Sequence, residues 1–119
     1  KNQYHIIWCP KYRRPVLTDG VDMRLKEILH EVASEMEVTI KALEIMPDHV
    51  HLFIDLDPRL GVHNVIKTMK GRSARILRSE FPQLKTRLPN LWTRSYFLCT
   101  VGHVNEGTVK KYIEDQKTH

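Results

Sequence analysis

The 119-residue chain predicts an α+β domain, a ferredoxin-like split βαβ in which an antiparallel sheet is backed by two helices, with one more helix at the C-terminus. Three observations predict it. Four stretches carry the alternating or β-branched pattern of strands, two longer stretches repeat their apolar residues at helical spacing, and they follow one another as β-α-β-β-α-β.

Residues 3–9 (QYHIIWC) are rich in aromatic and β-branched residues and stop at Pro10, as a strand would. A basic turn from Lys11 to Pro15 follows. Over residues 21–36, Val21, Leu25, Ile28, Leu29, Val32 and Met36 recur at helical spacing behind the start signals Asp19 and Gly20. Residues 38–46 and 49–56 alternate and are joined by Pro47-Asp48, a pair that cannot continue a central strand, so they predict a hairpin. A second long helix spans 62–81, with Val62, Val65, Ile66, Met69, Ile76 and Leu77 on its apolar stripe, Gly71 loosening its middle and Pro82 ending it. After a loop with Pro89 and Asn90, residues 91–101 alternate as the last strand. Gly102 and Gly107 then bracket a loop before a short helix from about Thr108, its expected N-cap.

This length suits one domain, 1–119, with no repeat or linker to divide it. Both ends are expected to be trimmed, since the chain opens on Lys1 and stops one turn after Gln116. Nineteen Lys and Arg against fourteen Asp and Glu give a formal charge of +5, which favours a polyanionic partner. Cys9 and Cys99 form no C-x-x-C pair, which argues against a disulfide framework or zinc knuckle and for a reducing cytoplasm. No apolar run approaches the roughly 18 residues of a membrane span, and no signal-peptide pattern opens the chain, so the expectation is a cytoplasmic protein away from the membrane. A G-x-x-x-x-G-K-[ST] loop is missing too, so nothing suggests that nucleotide hydrolysis drives its chemistry.

The strongest chemical signal is His49-Val50-His51. Side chains alternate along a strand, so His49, His51, Phe53 and Asp55 share one face while Val50, Leu52, Ile54 and Leu56 take the core face. Two imidazoles one pleat apart can reach one metal ion, although an H-x-H alone reads more readily as two strand histidines facing solvent. The C-terminal helix adds Tyr112 and Gln116, four apart and therefore one above the other, with Val109 and Ile113 free to anchor another side. By themselves they would be surface residues. Taken with the histidines they make chemical sense: two neutral imidazoles and a neutral amide leave a divalent ion's charge available to a phosphate, and a phenol is a workable nucleophile that yields a covalent phosphotyrosine.

Four ordered matches carry a family resemblance: Tyr4-His5-Ile6-Ile7-Trp8-Cys9-Pro10-Lys11-Tyr12-Arg13, Met46-Pro47-Asp48-His49-Val50-His51-Leu52, Lys70-Gly71 with Leu91-Trp92 and Ser95-Tyr96, and Tyr112-Ile113-Glu114-Asp115-Gln116. With these the chain resembles the single-tyrosine HUH transposases (two histidines around a hydrophobic residue) of the insertion-sequence 200/605 group, bacterial and archaeal proteins whose elements move as single-stranded DNA. The resemblance implies a ferredoxin-like domain, a Mg²⁺ or Mn²⁺ cofactor, and recognition of subterminal DNA hairpins. It also implies an obligate homodimer in which the tyrosine helix of one subunit packs at the histidines of the other. By position it assigns His49, His51 and Gln116 to the metal, and Tyr112 to an attack that leaves a 5′-phosphotyrosine and a free 3′-OH.

Several residues carry weaker expectations. Asp48 can orient a liganding histidine, or simply serve the turn. Lys67, Lys70, Arg75 and Arg78 fall on one side of the second helix and can follow a DNA backbone; a solvated basic face would look the same. Lys11, Arg13 and Arg14 around Tyr12 offer charge and a stacking ring to an unpaired base. Trp8, Trp92, Tyr96 and Phe97 read as core or interface, Cys9 and Cys99 as buried small hydrophobes, and His5, His30, His63, His103 and His119 show no ligand spacing. A domesticated, palindrome-associated tyrosine transposase would carry the same site. A replication initiator and a non-catalytic nucleic-acid-binding module whose histidines bind metal only for stability are the remaining alternatives.

Overall fold

The computed structural model describes residues 2–100 and 105–119. Strands β1 (Asn2–Trp8), β2 (Thr39–Met46), β3 (His49–Leu56) and β4 (Phe97–Thr100) form one antiparallel sheet in the order β2-β3-β1-β4. Helices α1 (Val21–Glu35) and α2 (Val62–Glu80) connect them, so the split βαβ expected from the sequence is the fold observed.

Alternation decides which face is which. Ile6 and Trp8 of β1 and Val50, Leu52, Ile54 and Leu56 of β3 are buried in one cluster with Val21, Leu25, Ile28, Leu29 and Val32 of α1 and Val65, Ile66, Met69 and Leu77 of α2. His49, His51, Phe53 and Asp55 alternate with them as half-buried residues on the opposite face. The helix starts at Gly20, whose φ of +96° suits glycine alone. Arg24 grips Glu80 through two hydrogen bonds, of 2.8 and 3.1 Å, and ties the start of α1 to the end of α2.

Register places the second face. Ile7 pairs with His51 on one side and with Phe97 on the other, giving a row His51–Ile7–Phe97 across β3, β1 and β4. At about 4.8 Å per strand the two outer residues of such a row stand about 10 Å apart. Ile7 and Cys9 belong to this face, yet both are buried, so something covers the sheet here.

Three expectations need correction. The final strand is confined to Phe97–Thr100: Trp92 makes only an isolated bridge to Pro10, and the carbonyls of Thr93, Arg94 and Ser95 are all taken by the Lys70 ammonium at 2.8, 3.2 and 3.1 Å, leaving none for a ladder. A short helix α3 (Gln83–Arg87) follows Pro82, in what reads from sequence as a loop. Helix α4 (Glu106–Asp115) starts before Thr108: the side chain of Asn105 caps it by accepting the Thr108 amide, and Gly107 lies within its first turn. The expected strand end at Val101 and the loop glycine Gly102 lie outside the described residues. Among the described residues no helix is long and apolar enough to cross a membrane.

Candidate active site

On β3 the two histidines are already oriented. His49 Nδ1 stands 2.9 Å from Asp48 Oδ1. A carboxylate only accepts, so Nδ1 donates and Nε2 keeps its lone pair for a ligand. Asp48 is held in turn by Arg13, whose Nε lies 3.0 Å from Oδ2. To reach it the chain passes through left-handed backbone at Tyr12 and Arg13, with φ of 57° and 52°, a conformation that costs non-glycine residues about 1 kcal/mol or more each.

His51 meets a residue that sequence spacing does not reveal. Its Nε2 lies 3.0 Å from Nδ1 of His5, and the His5 ring stacks on Phe53 with centroids 4.4 Å apart and planes 6° from parallel. His5 pairs directly with Phe53 across the β1–β3 ladder, which brings it diagonally against His51. Burial lowers the pKa of both imidazoles, so both favour the neutral, ligand-ready form.

Tyr112 and Gln116 come from the far end of α4. Gln116 is 5 % exposed; its Nε2 donates to the Tyr112 carbonyl at 3.1 Å, and its Oε1 accepts from the Ser95 hydroxyl at 2.9 Å and the Thr93 hydroxyl at 3.2 Å. The Tyr112 hydroxyl is 3.0 Å from Ser95 Oγ, and its ring packs on Phe97 at 5.9 Å. Burial pushes the phenol up to about 12, against the opposing pull of the Ser95 bond, so Tyr112 holds its proton at neutral pH. Val109 and Ile113 are half-buried, and α4 itself carries no fully buried residue.

Phe97 fixes how the two halves relate. It sits at one end of the row His51–Ile7–Phe97, so Tyr112 lies on the histidine face of the sheet, across the single strand β1. Cys9 is fully buried, and burial first, then the nearby Asp48 carboxylate, drives its thiol to about 12, which makes it an inert filler. Arg13 bridges the halves, with Nη1 3.0 Å from Glu114 of α4 and Nε on Asp48. No hydrogen bond among the described residues joins His49 or His51 to Tyr112 or Gln116. No group of three or more His, Cys, Asp or Glu gathers around a possible metal position among them either. The donor types do suit a divalent cation, since the open Nε2 of His49, the neutral His51 ring and the Gln116 amide oxygen all lie toward one face. Liganding by Gln116 would exchange or share the two hydroxyl bonds it now accepts.

The cations divide unexpectedly. Arg13 is spent on Asp48 and Glu114, and Lys70 is turned inward on three carbonyls, its pKa drawn down to about 8 by burial. Arg78 is half-buried against the Leu88 carbonyl at 3.4 Å. The four-cation face expected on α2 is therefore reduced to Lys67 and Arg75 as its exposed members, because Lys70 flanks the buried stripe where the 93–95 backbone approaches. Lys11, Tyr12, Arg94, Ser95 and Gln116 line a cavity of about 440 Å³ beside the tyrosine, and Arg14 is exposed nearby in sequence.

Residues 1–116 match the family of IS200-like transposases. The ISDra2 transposase TnpA of Deinococcus radiodurans is 41 % identical over 116 residues, spanning 96 % of this chain and 83 % of that protein. The transposase for insertion sequence element IS200 of Salmonella typhimurium is 31 % identical over 116 residues, spanning 96 % and 76 %. A solved transposase structure from Deinococcus radiodurans superposes with a TM-score of 0.89 at 40 % identity, covering 98 % of this chain and 92 % of that one. A REP-associated tyrosine transposase bound to a REP hairpin shares the fold, with a TM-score of 0.63 at 14 % identity over 95 % of this chain and 62 % of the other. With the match spanning nearly the whole chain and the tyrosine helix seated on the histidine face, this protein belongs to the IS200-like transposases, tyrosine transposases of the IS200/605 type.

Proposed function

We propose that this transposase cleaves and rejoins single-stranded DNA at the ends of its insertion sequence, with Tyr112 as the nucleophile. The observation that carries the reading is the placement of Tyr112 and Gln116 on the His49/His51 face, one strand away from the histidines. The Tyr112 oxygen bonds to phosphorus as the bond from phosphorus to the 3′-oxygen breaks. The phenol's lost proton is matched by the proton gained on the departing 3′-hydroxyl, and the phosphodiester energy is kept in a 5′-phosphotyrosine. Attack by a second 3′-hydroxyl reverses these steps and rejoins the strands.

His49, His51 and Gln116 would hold Mg²⁺ or Mn²⁺, with Asp48 orienting His49. Such an ion supplies positive charge that polarises the scissile phosphate. The exposed Arg14, Lys67 and Arg75 and the half-buried Lys11 are the cations suited to the DNA backbone, and Tyr12 suits an unpaired base beside the tyrosine. The DNA would carry subterminal hairpins, and two subunits would share their sites by exchanging α4.

Incubating the protein with labelled single-stranded DNA from the ends of its element and Mn²⁺ should give a covalent adduct on a denaturing gel. The Tyr112→Phe variant should bind the same DNA and form none, and excess chelator should stop wild-type cleavage. An adduct persisting in Tyr112→Phe would remove the tyrosine from its role, and hairpin binding with no cleavage in the wild type would favour a non-catalytic binding module.

A further inference from the structure

Among the described residues, Ser95 is the one side chain that hydrogen-bonds both to the hydroxyl of Tyr112 and to Gln116. The polarity of its bonds follows from which groups carry protons. Gln116 Nε2 donates to the Tyr112 carbonyl, which fixes the amide so that Oε1 faces the hydroxyls of Thr93 and Ser95. An amide oxygen has no proton, so both hydroxyls donate to it. Ser95 has then used its only proton and can meet the Tyr112 hydroxyl, 3.0 Å away, only as an acceptor. The phenol O–H therefore points at Ser95, and the lone pairs on its oxygen are left facing elsewhere, as a nucleophile requires.

The backbone that carries Ser95 is held at several points. Lys70 grips three successive carbonyls, Thr93 to Ser95, and its ammonium sits 5.5 Å over the Tyr96 ring. Just before them Trp92 is anchored in the core, donating to Ser73 at 3.0 Å and packing edge-on against Trp8. The Ser95 amide closes the turn by donating to Thr93 Oγ1 at 3.2 Å. A hydroxyl fixed to this degree can aim a partner that arrives on a loosely attached helix.

We propose that Ser95 is a positioning residue for strand attack: from a turn gripped by Lys70, its hydroxyl sets the direction of the Tyr112 oxygen and links it to Gln116. This rests on Tyr112 being the nucleophile. The test compares Ser95→Ala, Ser95→Thr and Tyr112→Phe in single-turnover adduct formation on labelled single-stranded DNA with Mn²⁺, over a range of protein concentrations. Ser95→Ala should lower the maximal rate about 10- to 100-fold with half-saturation unmoved and the protein still folded at the assay temperature, its melting temperature lowered by only about a few degrees, and Ser95→Thr, which keeps the hydroxyl, should recover most of the rate. In cation-free protein carrying ¹³C-labelled tyrosine, the Tyr112 Cζ resonance, assigned by its loss in Tyr112→Phe, should shift in Ser95→Ala and return in Ser95→Thr. A wild-type maximal rate in Ser95→Ala overturns the proposal, as does a Thr variant as slow as the Ala variant or a rate loss that merely tracks a lowered melting temperature. Adduct in Tyr112→Phe would instead overturn the assignment of the nucleophile, so the two failures are distinguishable.

Discussion

Strand β3 and helix α4 each supply part of the candidate site, yet they are held in opposite ways. β3 is hydrogen-bonded on both sides, to β1 and β2, and every second residue from Val50 to Leu56 is buried in the core. His49 and His51 cannot move unless the sheet does. Helix α4 buries no residue fully along its ten positions and is fastened chiefly through the contacts of Tyr112, Gln116 and Glu114 with Phe97, Ser95, Thr93 and Arg13. A hydrogen bond of this kind contributes about 1 kcal/mol net, because water replaces it when it opens. The histidines are built into the fold, whereas the tyrosine is docked onto it. Under the proposed reaction this division is useful, since a strand carried on Tyr112 must be presented to a second 3′-end while the phosphate-binding half stays in place.

The largest expected effect exploits that detachability. Neither a Tyr112→Phe protein nor a His49→Ala protein should cleave. If two subunits share their sites by exchanging α4, a mixed dimer holds one site with both defects and one with neither, and activity should reappear after subunit exchange. Tyr112 is seated on its own chain's Ser95 and Phe97, and that seat is polar enough to leave. Continued inactivity in a mixture whose exchange is proven by mass spectrometry would break the exchanged arrangement and make the docked helix a permanent one.

A smaller effect should appear in stability. Leu52, fully buried on the core face of β3, lies between the two histidine positions and Ile54 in the ladder. Leu52→Ala should cost about 2–5 kcal/mol in urea unfolding, as a large-to-small change in a close-packed core does. Ile113→Ala, on the half-buried side of α4, should cost about 1 kcal/mol. Equal losses would mean that α4 is as much a part of the cooperative core as β3 is.

The same contrast explains what could be read from the sequence. β3 was legible to the residue because a strand's period of two puts Val50, Leu52, Ile54 and Leu56 inside and the histidines outside whatever surrounds them. The i, i+4 relation of Tyr112 and Gln116 was legible for the same local reason. Contacts across strands were not. His5 touches His51 only through the β1–β3 register, and no spacing along the chain carries that information. The turn at Thr93–Ser95 was hidden because residues 91–101 do alternate; what overrides the pattern is Lys70, twenty-three residues earlier, taking the carbonyls that a ladder would need. The partners of Lys70 and Arg13 were hidden by the same omission, since a charge count says nothing about which carbonyls and carboxylates the fold delivers.

The smallest expected effect isolates a single fastener of the docked helix. Glu114 is exposed and shared between Lys117 and Arg13, whose bonds hold its carboxyl below the ordinary carboxylate range. A group lowered in this way lends its stabilisation fully above its ordinary pKa of about 4.3 and loses it as the pH falls through the lowered value. At neutral pH, Glu114→Gln should therefore leave the melting temperature unmoved while raising amide exchange across α4 about two- to five-fold, an effect that high salt should mask in the wild type. Arg13→Gln should do more, because Arg13 also holds Asp48, the carboxylate that orients His49, so its loss loosens the tyrosine helix and frees a histidine's partner together. In that variant the amides of β3 should still exchange at the wild-type rate, since the ladder and the core fix the strand without Arg13. Faster exchange in β3 would show that the bridge from Asp48 to Glu114 makes the two regions one mechanical unit, and the distinction between a built-in half and a docked half would fail.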